Sequence, residues 1–202
     1  MLQTHTVEPA TLDILRRLQQ IPELKNTRLV GGTALAFHFG HRHSIDLDLF
    51  GEIEHDDITL VLNDIDFDSF IVDRNFKNIK HYRINTVKVD IVNYAYKWIE
   101  PCIEKDQLRI AGLKDIAAMK LNAITGRGSK KDFIDLYFLL NTFALKEMFD
   151  FYTEKYPGNS FFMVAKSLTY YADAELQQMP FMYQEVSWED VKNRICLEIE
   201  KL

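Results

Sequence analysis

The chain has 202 residues, 47% of them apolar, and a formal net charge of −6; this is enough for one core, or a core with a helical extension, and it excludes a general basic coat for nucleic acid, leaving only local contacts. Two cysteines, Cys102 and Cys196, stand far apart outside any C-x-x-C, so neither a disulfide framework nor a cysteine-based zinc site is expected. With no apolar run of membrane-spanning length and no charged leader, the expectation is a cytoplasmic protein without a membrane partner.

Residues 9–20 carry Leu12, Ile14, Leu15 and Leu18 at helical spacing. Arg28-Leu29-Val30 reads as a short strand, Gly31-Gly32 as a tight turn, and Thr33 to Phe39 as a helix. Ser44 to Phe50 alternates as a strand, and Asp57 to Ile65 is a second helix. Three β-rich runs follow, Phe70 to Asn75, Lys80 to Ile84 and Thr86 to Tyr94. From about residue 113 the pattern is helical, over Leu113–Thr125, Lys130–Phe143, Leu145–Tyr156, Phe161–Ala172 and Trp188–Lys201, with a turn at 156–160. The expected fold class is therefore α+β, a small mixed sheet with flanking helices over residues 1–110 followed by a C-terminal helical bundle over 111–202.

Two aspartates interrupt the hydrophobic strand Ile45-Asp46-Leu47-Asp48-Leu49-Phe50. Alternation places 46, 48 and 50 on one face and turns Ile45, Leu47 and Leu49 to a core. Two carboxylates this close raise each other's pKa unless a cation lies between them, and oxygen-only ligands suit Mg²⁺ bridging to substrate phosphates. Asp90, in the strand Thr86-Val87-Lys88-Val89-Asp90-Ile91-Val92, is the candidate third acid. The same residues could also be solvated carboxylates on edge strands. Gly31-Gly32 between a strand and a helix offers backbone N–H groups and a positive helix end to a phosphate, with Thr33 adding a hydroxyl.

The segment GGTALAFHFGHRHSIDLDLF resembles the signature of the AbiEii/AbiGii toxin family of nucleotidyltransferases, within the polymerase-β-like superfamily. The resemblance implies that Gly31, Gly32 and Thr33 contact phosphate, that Asp46, Asp48 and Asp90 are catalytic metal ligands, and that Arg42 and Ser44 correspond to the family's Arg-x-Ser before the acidic strand. Many superfamily members carry Gly-Ser where this chain has Gly-Gly-Thr.

In the helical half, Leu113, Ile116, Ala117 and Ile124 form one stripe with Lys120 near its centre and Arg127 beside it, while Lys114, Asp115, Asn122 and Thr125 fall on the other side. A lysine on a buried face needs an anionic partner, such as a triphosphate, or must snorkel at the helix edge. Ser129 and Asp132 fit a capping-box variant, and Asp132 and Asp135 can face Arg127 or Lys120. DIAAMKLNAITGRGSKKDFIDLYFLL resembles the family's second conserved region, which implies nucleotide-contacting roles for Lys120, Asp132 and Asp135; Arg127 would neutralise charge on the triphosphate beside Lys120.

His38, His41 and His43 lack a fourth ligand for zinc. Lys77, Lys80, Arg83 and Lys88, interleaved with Phe76, His81 and Tyr82, form either a solvated hairpin face or an RNA-facing patch, and Phe161, Phe162, Tyr170 and Tyr171 read as core. The expected activity is transfer of a nucleoside monophosphate from an NTP to an acceptor hydroxyl, assisted by two Mg²⁺ ions and releasing pyrophosphate. The resemblance implies a bacterial toxin acting on RNA or the tRNA 3′ end, with an AbiEi-like antitoxin encoded nearby and no direct contact between the two implied. Alternatives are an antibiotic-type small-molecule nucleotidyltransferase and an idle nucleotide-binding regulator.

Overall fold

The computed structural model describes residues 1–53 and 58–202. In chain order the elements are α1 (Pro9–Gln20), β1 (Thr27–Val30), α2 (Gly31–Phe39), β2 (Leu47–Gly51), α3 (Ile58–Asn63), β3 (Phe70–Asn75), β4 (Ile79–Ile84), β5 (Val87–Asn93), β6 (Ile103–Lys105), β7 (Leu108–Ile110), α4 (Leu113–Gly126), α5 (Lys130–Leu139), α6 (Leu145–Lys155), α7 (Phe161–Ser167), α8 (Ala172–Glu175) and α9 (Trp188–Ile199). The expected start of a helix at Asp57 lies outside the described residues.

The strands form one mixed sheet in the order β3-β4-β5-β2-β1-β7-β6. β1 runs antiparallel to β2, and β2 parallel to β5, with Val30 opposite Asp48 and Asp48 opposite Asp90. Alternation explains why these strands hold together. Leu47, Leu49, Val89 and Ile91 are buried on one face, and Asp48 and Asp90 emerge on the other. α1 begins at Pro9, whose missing N–H costs nothing in a first turn, and it buries Ile14, Leu15 and Leu18. α2 ends at Gly40, which adopts the left-handed conformation (φ 65°) that glycine tolerates best. α2 packs on both α4 and α5, so a continuous core links the sheet to the helical half.

Several expectations are corrected. The acidic strand begins at Leu47 rather than Ser44, leaving Ile45 59% exposed and Asp46 in the approach to the strand. A hairpin, β6–β7, extends the sheet where no strand was expected, and β7 pairs with β1. The helix begun at Lys130 stops at Leu139, and the segment 161–172 holds one short helix ending at Ser167. Phe161, Phe162 and Tyr170 are exposed, not core. Asp115, expected on the solvent side, is buried because it sits in the first turn of α4, accepts N–H bonds from Ile99 (2.9 Å) and Glu100 (3.1 Å), and pairs with Lys155 at 2.6 Å.

Candidate active site

One polar cleft brings together Gly32, Thr33, Arg42, Ser44, Asp46, Asp48, Asp90, Lys120, Arg127 and Asp132 from sites separated by up to a hundred residues in sequence, and Lys88 and Lys131 join them. Gly31 borders an adjoining cavity of about 260 Å³ that shares Asp48, Lys120 and Arg127 with the cleft. Asp135 lines neither.

The diglycine marks the closest approach. Gly31 has φ 71°, and a Cβ there would lie 2.2 Å from Asp48 Oδ2. A Cβ on Gly32 would lie 2.3 Å from Arg42 Nη2. Glycine at both positions thus lets the start of α2 rest between a carboxylate and a guanidinium. No side chain caps α2, so its leading N–H groups are left for an anion. Thr33 and Ser44 are both buried. Their hydroxyls share a hydrogen bond of 2.8 Å, and the Thr33 hydroxyl also donates to the Asp46 carbonyl, which binds the first turn of α2 to the segment carrying Asp46. The C-terminal half secures that segment from outside: His43 N–H donates to Phe181 O at 2.9 Å and Tyr183 N–H to His41 O at 2.8 Å.

The three candidate carboxylates differ in their partners. Asp46 has Lys131 at 3.5 Å, and Asp90 holds His81 Nδ1 at 2.7 Å and Lys88 Nζ at 3.0 Å. Asp48 has no hydrogen-bonding or ion-pairing side chain among the described residues. Burial first, then the neighbouring Asp90 and Asp46, push its carboxyl up to about 6, offset in part by Lys88 and Lys120. Among the described residues no three His, Cys, Asp or Glu side chains are gathered into a ready-made metal cage. The donor set nonetheless fits a hard divalent cation: all donors are carboxylate oxygens, two of them side by side across a strand pair, and the central one is crowded by like charge with no protein cation bonded to it.

Beneath the cleft lies a buried ionic lattice. Arg42 clasps Asp135 through Nε (2.8 Å) and Nη2 (2.9 Å), His41 Nε2 lies 2.8 Å from Asp135 Oδ1, and Lys120 Nζ reaches Asp135 at 2.8 Å and Asp132 at 3.0 Å. Arg127 adds a two-pronged contact to Asp132 (2.9 and 3.0 Å), and Ser129 N–H donates to Asp132 at 3.3 Å, as the expected capping pattern requires. Burial raises the Asp135 carboxyl, yet Arg42 and Lys120 outweigh it and hold the group well below its ordinary value. Burial also works against the charge of Lys120, and Asp135 and Asp132 restore it. Burial lowers the His41 pKa despite Asp135, and because the Asp135 carboxylate can only accept, Nε2–H is the donor in that bond. Asp135 was expected at the nucleotide. It is instead completely enclosed, with both oxygens occupied, and it supports Arg42 and Lys120 from below.

The adjoining cavity is walled by Phe50, Tyr94, Tyr96 and Tyr156, with the amides of Asn122 and Asn159 at its edge. Tyr94 and Tyr156 share a hydrogen bond of 2.7 Å between their hydroxyls. Sequence reasoning missed this aromatic wall, because its members come from β2, the loop after β5 and the residue that ends α6. It also missed Lys88 as a cleft residue, although strand alternation puts 88 and 90 on one face.

A sheet of this order, with acids on two adjoining strands beside a helix that starts on paired glycines, is the fold of a nucleotidyltransferase. The chain superposes on JHP933 from Helicobacter pylori with a TM-score of 0.62 at 17% identity, covering 96% of this chain and 92% of that one. It superposes on MenT4, a nucleotidyltransferase toxin from Mycobacterium tuberculosis H37Rv, with a TM-score of 0.56 at 17% identity, covering 96% and 82%. An uncharacterized protein of Aquifex aeolicus (strain VF5) is 35% identical over 182 residues, 81% of this chain and 82% of its own length. The family described as nucleotidyl transferase AbiEii toxin, type IV TA system, matches residues 13–198. The chain belongs to this AbiEii nucleotidyltransferase toxin family, and membership implies an NTP substrate and an antitoxin partner.

Proposed function

We propose that the chain moves a nucleoside monophosphate from an NTP onto a hydroxyl of RNA, including the tRNA 3′ end, with Mg²⁺ held by Asp46, Asp48 and Asp90. The observation that carries this reading is the meeting of these carboxylates with the uncapped start of α2 and with Lys120 and Arg127 at one cleft that opens into an aromatic cavity. The N–H groups at Gly31 to Thr33 orient the triphosphate. Lys120 and Arg127 carry positive charge to the departing pyrophosphate, and Arg42, seated under Gly32, adds to the same field. Aromatic rings of the adjoining cavity take the nucleoside. Asp90 favours loss of the proton from the attacking hydroxyl. When bound, a pair of Mg²⁺ ions supplies charge stabilisation at the attacking and leaving oxygens. Residues 1–110 act as the core and residues 111–202 close the nucleotide cleft.

Such a transfer, unchecked in the cytoplasm, removes functional RNA, which suits a toxin whose AbiEi-like antitoxin is encoded nearby and need not touch it. Among the described residues no helix is long and apolar enough to cross a membrane. The test is incubation with each labelled NTP, Mg²⁺ and total RNA. Labelled RNA, lost in Asp48→Asn with the fold intact, is the expected result. NTP binding without transfer identifies an idle nucleotide-binding protein and refutes the reading.

A further inference from the structure

The helical half covers only part of the face that bears Asp48 and Asp90. Beside Phe50 it walls the aromatic cavity, whereas the register of the outer strands carries the same face outward past Asp90 to His81 opposite it, then to Arg74 opposite His81, with Arg83 opposite Lys88. This extension is open. Lys88 and Arg83 have side chains more than half exposed, and Arg74, Ile71 and Phe76 are exposed as well. Residues 70–90 hold five Lys or Arg against two Asp in a chain whose net charge is −6. Arg83 bonds Asp73 at 3.1 Å, while no side chain among the described residues pairs with Arg74.

We propose that the open face of β3, β4 and β5 is the track on which an RNA acceptor lies, its phosphates on Lys88, Arg83 and Arg74 and its terminal hydroxyl at Asp90. This rests on the transferase reading above and adds to it where the acceptor binds. Three considerations converge. With the nucleoside in the aromatic cavity under the helical half, the second substrate approaches from the uncovered side of the sheet. Lys88 and His81 bond Asp90 directly, so the track leads to the carboxylate placed at the attacking hydroxyl. With neighbouring strands about 4.8 Å apart, Arg74 lies about 10 Å from Asp90, within reach of the last nucleotides of one strand. An anionic polymer gains from this island of positive charge, whereas a polycationic small molecule is repelled by it. Phe76, at the turn between β3 and β4, offers a ring for base stacking at the far end.

The test is fluorescence polarisation with a labelled single-stranded RNA oligonucleotide in Mg²⁺, over a series of salt concentrations. The double variant Arg74→Gln, Arg83→Gln is expected to bind at least about tenfold more weakly, with the slope of log K against log salt reduced by about 1.4, or about 0.7 for each lost phosphate contact. Asp73→Asn, which frees Arg83, is expected to tighten binding. Wild-type protein that does not bind the RNA, or affinities and slopes unchanged in both variants, overturn the track. Binding of a labelled NTP is followed separately, and its absence overturns the transferase reading whatever the RNA does.

Discussion

Replacing Asp135 with alanine tests whether the buried ionic lattice beneath the candidate site holds the fold together there. Asp135 has no exposed side-chain area and Arg42 only 4%, so truncation leaves a guanidinium enclosed without its carboxylate, while Lys120 retains Asp132. Breaking one member out of a buried charged pair costs about 3–5 kcal/mol. For a domain of this size each kcal/mol moves the melting temperature by about 2–4 °C, so the midpoint at pH 7 should fall by about 6–20 °C. The charge itself is isolated by Asp135→Asn. The folded-state pKa of Asp135 lies well below that of the unfolded chain, so its stabilisation is complete above the unfolded value near 4 and is lost as pH falls through the folded one. Thermal unfolding followed by circular dichroism from pH 7 to pH 2 should therefore show wild type leading Asp135→Asn by a gap that is constant above about pH 5 and narrows below about pH 4. A shift of less than about 2 °C for Asp135→Ala at pH 7, or a gap that ignores acid, refutes this account of the lattice.

Asp48→Asn should reduce transfer by about a hundredfold or more, equivalent to a few kcal/mol of barrier. In metal-free buffer it should not lower the melting temperature, since it removes a carboxylate crowded by Asp90 and Asp46; retained transfer, or a lower midpoint, counts against the assignment. Gly31→Ala should cost about 1–2 kcal/mol from its positive φ and also displace the Asp48 carboxylate, so NTP affinity measured by calorimetry should drop in a protein that still folds cooperatively. Asp115→Ala strands the Lys155 ammonium and releases the N–H groups of Ile99 and Glu100. A loss of about 3–5 kcal/mol in urea unfolding is expected, and a loss below about 1 kcal/mol would show the pair to be dispensable.

Much of the local geometry around the candidate site was legible in the sequence because it depends on near neighbours in the chain. The alternation of Leu47, Asp48 and Leu49 decides which side chains enter the core, whatever packs above them, and Val87, Val89 and Ile91 do the same around Asp90. Gly31-Gly32 between a strand and a helix likewise marks a close approach before its neighbour is known. A single lysine amid apolar residues at 120 calls for either a buried anion or a snorkelling side chain, and the sequence does not choose between them. That choice belonged to the tertiary structure, which supplied Asp132 and Asp135 and so removed Asp135 from the cleft. Ile45 failed as a core residue because a period-two pattern does not say where a strand begins; backbone pairing to β1 starts only near Asp48. Asp115 failed for a related reason, since helical periodicity cannot see the loop N–H groups and the lysine of α6 that make burial of a charge affordable. Periodicity reports a preference between water and protein along one element, whereas the partners of a charge, the open or covered state of a sheet face and the wall of a cavity arise only where separate elements meet.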